Sequence, residues 1–173
     1  KNKVNILGPN CLGFISPKIK LNASFAGGMP KEGNVAFVSQ SGALAVAIMD
    51  MSKKENIKFS KIISIGNKMQ VDETGLIEYL GNDEDTKVIA LYLEGVESGE
   101  KFIKAAQKVS QKKPIVVLKA GKSEKAQRAI ASHTGSLAGS DKIMDTAFDK
   151  VGVTRVDNLE EFFSFVKLVS NFE

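Results

Sequence analysis

The sequence predicts an α/β fold: a doubly wound three-layer sandwich on a mostly parallel, five-stranded sheet. Three observations lead there. From Asn34 onward, short apolar runs alternate with helical stretches. The runs are continuously apolar, as strands buried on both faces are. The connections are short, so each crossover must be right-handed and lay its helix on a face of a parallel sheet.

Val35-Ala36-Phe37-Val38 is the first strand of this series and Ser41 to Lys54 its helix. Ile62 to Ile65 and Glu73 to Leu80 form the second pair, and Val88 to Leu93 and Gly99 to Ser110 the third. Pro114 to Leu118 is the fourth strand. A loop with one helical stretch follows and contains His133. Ser140 to Val151 is a further helix, with Ser140 and Asp141 as capping candidates. Thr154 to Val156 is a short fifth strand. Leu159 to Phe172 closes the chain as an amphipathic helix, its apolar face carrying Phe162, Phe163, Val166, Leu168 and Val169. Five strands so connected suggest a flavodoxin-like order. Ahead of them, Val4 to Leu7 reads as a strand ending in the turn Gly8-Pro9-Asn10. Leu12 to Gly33, broken by Pro17, Gly27, Gly28, Pro30 and Gly33, reads as irregular. Residues 1–33 are therefore expected to be the end of a preceding domain plus a linker, and residues 34–173 the α/β domain.

The bulk composition narrows the function. With 173 residues, 43% hydrophobic and 25% charged, the chain has the make-up of an ordinary soluble domain with a sizeable core. Its single cysteine, Cys11, excludes an internal disulfide. No run is long enough to span a membrane and no signal peptide is visible, so a cytoplasmic protein is expected. The chain opens on Lys1 rather than Met, which suits a piece of a longer protein. The net charge of +4 comes mostly from scattered lysines, with Arg128 and Arg155 the only arginines. No basic block with interleaved aromatics suggests nucleic acid.

In an open parallel sheet ligands bind beyond the carboxyl ends of the strands. Ser39-Gln40-Ser41-Gly42 follows the first strand of the series and opens a helix. Hydroxyls, free N–H groups and the helix dipole make an anion site there, and a plain N-cap fits the same residues. Gly66-Asn67-Lys68 follows the second strand. Glu94-Gly95 follows the third, and a carboxylate closing an apolar strand either pairs with a lysine or orients another group. Lys119-Ala120-Gly121-Lys122-Ser123 lacks the earlier glycine of a nucleotide P-loop, since position 116 is Val. The residues around Ser41 do not make a hydrolase elbow, and no Cys/His spacing suggests zinc. His133, the only histidine, lies in Ser132-His133-Thr134-Gly135-Ser136-Leu137-Ala138-Gly139. An imidazole is partly neutral at physiological pH and can serve as a nucleophile. A phosphate carried on His133 would use all three features: the helix start for its oxygens, Glu94 for the ring, and the imidazole for the bond.

The motifs Gly8-Pro9-Asn10-Cys11-Leu12-Gly13, Val38-Ser39-Gln40-Ser41-Gly42-Ala43-Leu44, Ile65-Gly66-Asn67-Lys68, Leu93-Glu94-Gly95 and the His133 stretch together resemble the NDP-forming acyl-CoA synthetases. That family includes ADP-forming acetate–CoA ligase and is related to the succinyl-CoA synthetase alpha subunit. The resemblance implies that His133 is transiently phosphorylated, that Glu94 steadies the phosphohistidine, and that Ser39, Gln40, Ser41 and Gly42 bind phosphate. It places Asn10 and Cys11 near the arriving CoA thiol, with Asn67 and Lys68 along the same cleft. It implies CoA, ATP or ADP, and phosphate as ligands, with Mg²⁺ in an ATP-grasp part that this chain lacks. The implied partners are CoA-binding and ATP-grasp domains or a subunit, a small acid or its acyl-CoA, and an oligomeric whole enzyme. The chain alone is not expected to turn over. Two other readings stand beside it. One is a CoA- or ligand-sensing module of a protein acetyltransferase, which would need neither His133 nor Glu94. The other is a flavin-binding domain, disfavoured because Trp is absent and Tyr79 and Tyr92 fall within a helix and a strand.

Overall fold

The computed structural model describes residues 4–121 and 141–171. Its centre is a parallel array of β3 (Glu32–Ser39), β4 (Phe59–Ser64), β5 (Val88–Leu93), β6 (Ile115–Lys119) and β7 (Val153–Val156). Two further strands, β1 (Gly13–Ser16) and β2 (Leu21–Ser24), form an antiparallel hairpin. β1 pairs antiparallel with β4, so the sheet has seven strands in the order β2-β1-β4-β3-β5-β6-β7. The parallel strands taken alone follow the flavodoxin-like order, in which the first lies between the second and third.

Helices α1 (Gly42–Glu55) and α5 (Leu159–Asn171) cover one face; α2 (Glu73–Asn82), α3 (Gly99–Ser110) and α4 (Asp141–Lys150) cover the other. Alternate residues along each strand feed the two cores, as the two-residue period of a strand requires. Phe37 and Val35 join Ile48, Phe162 and Phe163 on the α1 side. Val38 and Ala36 join Leu80, Phe102 and Phe148 on the other. An aromatic pair sits in each: Phe37 and Phe162 meet edge-on, 5.8 Å apart at 71°, and Phe102 and Phe148 lie tilted, 5.8 Å apart at 56°. Asp72 caps α2, its Oδ1 accepting the Gly75 N–H at 2.7 Å.

Three expectations need correction. The sheet has seven strands, not five, because residues 12–33 are not an irregular linker. Ile15 from this stretch is buried in the α1-side core, and its strand extends the sheet beyond β4. The two strands have four residues each, and β2 is largely exposed, so neither shows the apolar run that marks the interior strands. Val4 to Leu7 is not a strand. It runs beside the loop that follows β4, with Val71 N–H donating to Ile6 O at 3.3 Å and Ile6 N–H to Gln70 Oε1 at 2.9 Å. Val4 and Ile6 stay 69% and 47% exposed, so this short apolar run is not buried in the sheet. Among the described residues no helix is long and apolar enough to cross a membrane.

Candidate active site

The chain winds one way from β3 to β4 and the other way from β5 through β7, so a crevice opens between the carboxyl ends of β3 and β5. β3 delivers Ser39 to the start of α1. Ser39 is fully buried; its Oγ donates to Ser41 O at 2.7 Å and accepts the Ser41 N–H at 3.1 Å, which fixes the entry turn. Ser41 is the N-cap, its Oγ accepting from Leu44 N at 3.2 Å. A helix leaves its first N–H groups without intrahelical partners. Those of Gly42 and Ala43 find no acceptor among the described residues. With the positive end of the α1 dipole behind them, they are equipped to take an anion.

β5 delivers Glu94 and Gly95 beside this helix start. The Gln40 side chain joins the two: Oε1 accepts the N–H groups of Glu94 at 2.5 Å and Gly95 at 3.0 Å, and Nε2 donates to Gly95 O at 2.7 Å. Three more side chains hold the same turn. Lys119 is 8% exposed at the end of β6, and its Nζ donates to Glu94 O at 3.0 Å and Ala120 O at 2.8 Å. Lys68 Nζ donates to Gly95 O at 3.2 Å. Glu73, fully buried at the start of α2, accepts the Glu97 N–H at 3.1 Å and pairs through Oε2 with Lys68 Nζ at 3.1 Å. Glu94 itself is half-buried. Burial and the neighbouring Glu94 carboxylate push the Tyr92 phenol above its ordinary value.

The segment before β1 closes a third side. Asn67 N–H donates to Pro9 O at 2.9 Å, Met69 N–H to Gly8 O at 2.9 Å, and Asn10 Nδ2 to Asn67 Oδ1 at 3.3 Å. Asn10 and Lys68 both take left-handed backbone, with φ of +55° each. Leu12 N–H donates to Ser64 Oγ at 3.0 Å, and a Cβ on Gly42 would lie 3.4 Å from the Leu12 Cβ. Asn10, half-buried Cys11, Asn67 and Lys68 thus share one turn cluster beside the first turn of α1.

On the α1 side of the sheet a cleft of about 650 Å³ follows the ends of β5 and β6 and is lined by Ser41, Leu44, Tyr92, Lys119, Gly121 and Asn158. Among the described residues no three His, Cys, Asp or Glu side chains gather as metal ligands. The expected nucleophile His133 lies outside the described residues. The other expected residues, from Asn10 to Glu94, are described and stand around the same crevice. Sequence reasoning missed Lys119 and Glu73. A lysine closing an apolar strand at the same sheet edge as Glu94 is a signal for the first. Nothing local marks Glu73, because its partners come from other segments.

A model of the succinyl-CoA ligase-like flavodoxin domain matches residues 32–169. The ADP-forming acetate–CoA ligase I of Archaeoglobus fulgidus is 46% identical over 169 residues, which make up 98% of this chain and 25% of that protein. The alpha subunit of ADP-forming acetate–CoA ligase II from Pyrococcus furiosus is 49% identical over 96% of this chain and 36% of its own length. The dinucleotide-forming acetyl-coenzyme A synthetase 1 of Ca. Korarchaeum cryptofilum, solved in complex with phosphate and ADP, superposes with a TM-score of 0.92 at 44% identity, covering 96% of this chain and 36% of that one. The chain thus spans about a quarter to a third of the length of these relatives. Matched by the family model over most of its residues, the chain belongs to the succinyl-CoA ligase-like flavodoxin domain family.

Proposed function

We propose that this chain is the phosphoryl-relay segment of an ADP-forming acid–CoA ligase and that His133 carries the phosphate. The observation that carries the reading is the crevice at the strand-order reversal. There a helix start whose Gly42 and Ala43 N–H groups find no acceptor among the described residues and the turn bearing Glu94 are joined through one residue, Gln40. The relatives' names and the phosphate and ADP in the Korarchaeum complex support it.

On this reading phosphate displaces CoA from an acyl-CoA, giving an acyl phosphate and the free thiol. The His133 imidazole then takes the phosphoryl group and releases the carboxylic acid. ADP next takes it from phosphohistidine, giving ATP and the free imidazole. Each transfer is a matter of positioning and charge stabilisation. Ser39 and Ser41 shape the α1 entry, and the Gly42 N–H faces the phosphate oxygens. Glu94 accepts one ring N–H of His133, which sets the tautomer and leaves the other nitrogen as nucleophile. Asn10, Cys11, Asn67 and Lys68 border the approach of the CoA thiol. CoA is held chiefly by a separate CoA-binding domain, and ADP with Mg²⁺ by an ATP-grasp part, in an oligomeric cytoplasmic enzyme.

The test is mass spectrometry of the intact enzyme after incubation with ATP and Mg²⁺. The expected result is an acid-labile phosphate on His133 that is absent from His133→Ala, together with a shorter phosphoenzyme lifetime in Glu94→Gln. A His133→Ala enzyme with normal turnover overturns the reading, and favours the ligand-sensing module in its place.

A further inference from the structure

We infer that Gln40 is a positioning residue for Glu94 and that its side chain is not a phosphate ligand. The inference rests on the reading that Glu94 steadies a phosphohistidine, and it assigns a device that makes this possible.

A glutamine amide offers one oxygen with two lone pairs and two N–H donors. In Gln40 both lone pairs are taken, by the N–H groups of Glu94 and Gly95, and one donor is spent on Gly95 O. Its main-chain N–H donates to Tyr92 O at 3.2 Å. All four bonds go to the four-residue stretch from Tyr92 to Gly95. The parallel ladder between β3 and β5 ends at the pair Ser39 and Tyr92. Beyond that point the Gln40 amide, chemically a peptide group, stands in for the missing strand and carries the pairing on to Gly95.

The consequence is local and specific. With the Glu94 N–H held by Gln40 and the Glu94 carbonyl by Lys119, both peptide groups flanking its Cα are fixed, and with them the direction of its Cα–Cβ bond. The residue that does this is the one between Ser39 and the N-cap Ser41. A displacement of the helix start therefore drags the carboxylate turn with it. The two halves of the proposed site, anion cradle and carboxylate, move as one body. Preorganisation of this kind matters because misplacing a reacting group by about 1 Å costs on the order of 100-fold in rate.

The experiment uses the intact enzyme with four variants: Gln40→Ala, Gln40→Glu, Glu94→Gln and Gln40→Ala with Glu94→Gln. Turnover, KM for phosphate and phosphoenzyme lifetime are measured, with a thermal melt as the check on folding. Positioning predicts that Gln40→Ala lowers kcat roughly 10- to 100-fold and shortens the phosphoenzyme lifetime, while KM for phosphate changes less than about 3-fold. In the Glu94→Gln background the same change should cost less than about 3-fold, because the group it positions is already lost. Gln40→Glu keeps the acceptor that the Glu94 and Gly95 N–H groups need but sets a carboxylate oxygen against Gly95 O in place of the Nε2 donor, so its kcat should fall as well. If Gln40→Ala does not fold, Gln40→Met, which keeps the length of the side chain without its amide, carries the same split of kcat against KM. A direct phosphate ligand would behave oppositely: Gln40→Ala would raise KM for phosphate more than it lowers kcat. That result, or penalties that multiply in the double variant, overturns the inference while leaving the Glu94 reading intact. A Glu94→Gln enzyme with unchanged kcat and lifetime overturns the reading itself, and this inference with it.

Discussion

Replacing Gly66 by alanine should cost about 3 kcal/mol, and the structure separates the contributions. Gly66 has φ of +54°, where an L-residue pays roughly 1 kcal/mol of strain. An added Cβ would also meet Pro9 O at 2.3 Å and Asn10 O at 2.4 Å. Both are main-chain carbonyl oxygens, so the segment entering the sheet must shift as a whole. That shift gives up the Asn67–Pro9 and Met69–Gly8 hydrogen bonds, each 2.9 Å long and worth about 1 kcal/mol net. For a chain of this size the sum lowers Tm by about 9 °C. Two controls calibrate it. Gly28 has φ of +85° but open space where its Cβ would be, so Gly28→Ala should show the strain alone, about 1 kcal/mol. Gly27 has neither strain nor a neighbour within 4 Å, so Gly27→Ala should be near neutral. Urea and thermal unfolding of the three variants read the series directly. A Gly66→Ala penalty no larger than that of Gly28→Ala refutes the reasoning, because the contact with Pro9 and Asn10 would then carry no weight.

Three other outcomes follow from single contacts. Ser41→Ala removes the cap on Leu44 N–H and should cost about 1 kcal/mol in unfolding free energy, and an unchanged urea midpoint would count against the capping role. Phe102→Ala empties a fully buried site against Phe148 and should cost roughly 3–5 kcal/mol, read by calorimetry. Burial pushes the Asp83 carboxyl up, but hydrogen bonds from Lys61 and Thr86 and the nearby Lys113 charge outweigh it and hold the group below the usual carboxylate range. Its stabilising contribution is therefore complete above the ordinary carboxylate pKa of about 4 and is lost as the pH falls through the lower folded value. The stability gap between the parent and Asp83→Asn should shrink on acidification from pH 7 to about pH 2.5, and a constant gap would contradict the linkage.

The interior of the sheet was legible because its strands are buried on both faces. Val88 to Leu93 has the bounds the sequence predicts, and the predicted strand Val35 to Val38 is the centre of the longer Glu32–Ser39. No polar alternation was needed there; an unbroken apolar run of that length between helical stretches is enough. The edge escaped the same logic. Phe14 pairs with Ala23 and Leu21 with Ser16 in a hairpin whose β2 is the sheet edge among the described residues, so many of its side chains meet solvent and its composition resembles loop. Val4 to Leu7 fails in the opposite sense, being apolar enough for a strand yet bonded to a turn. At the site, Ser39 to Gly42 and Glu94 could be named because each follows a strand directly. What they do to one another could not be read. The Gln40–Gly95 contact spans 55 positions and the Lys119–Glu94 contact 25, distances at which local pattern carries no information.

Near Glu94 two lysines are drawn in from the surface. Lys119 Nζ donates to Glu94 O and Ala120 O, Lys68 Nζ donates to Gly95 O, and buried Glu73 pairs with Lys68. A cation spent on carbonyl oxygens satisfies acceptors that the sheet no longer covers once β5 ends. On the proposed reading these donors fix the direction of the Glu94 backbone, and the helix start of α1 meets the anion. Charge reversal separates the two uses. Lys119→Glu turns a donor to the Glu94 carbonyl into an acceptor, so it should disturb the turn and lower kcat at least as much as Gln40→Ala. An effect confined to KM for phosphate would instead identify Lys119 as an electrostatic anchor for the anion.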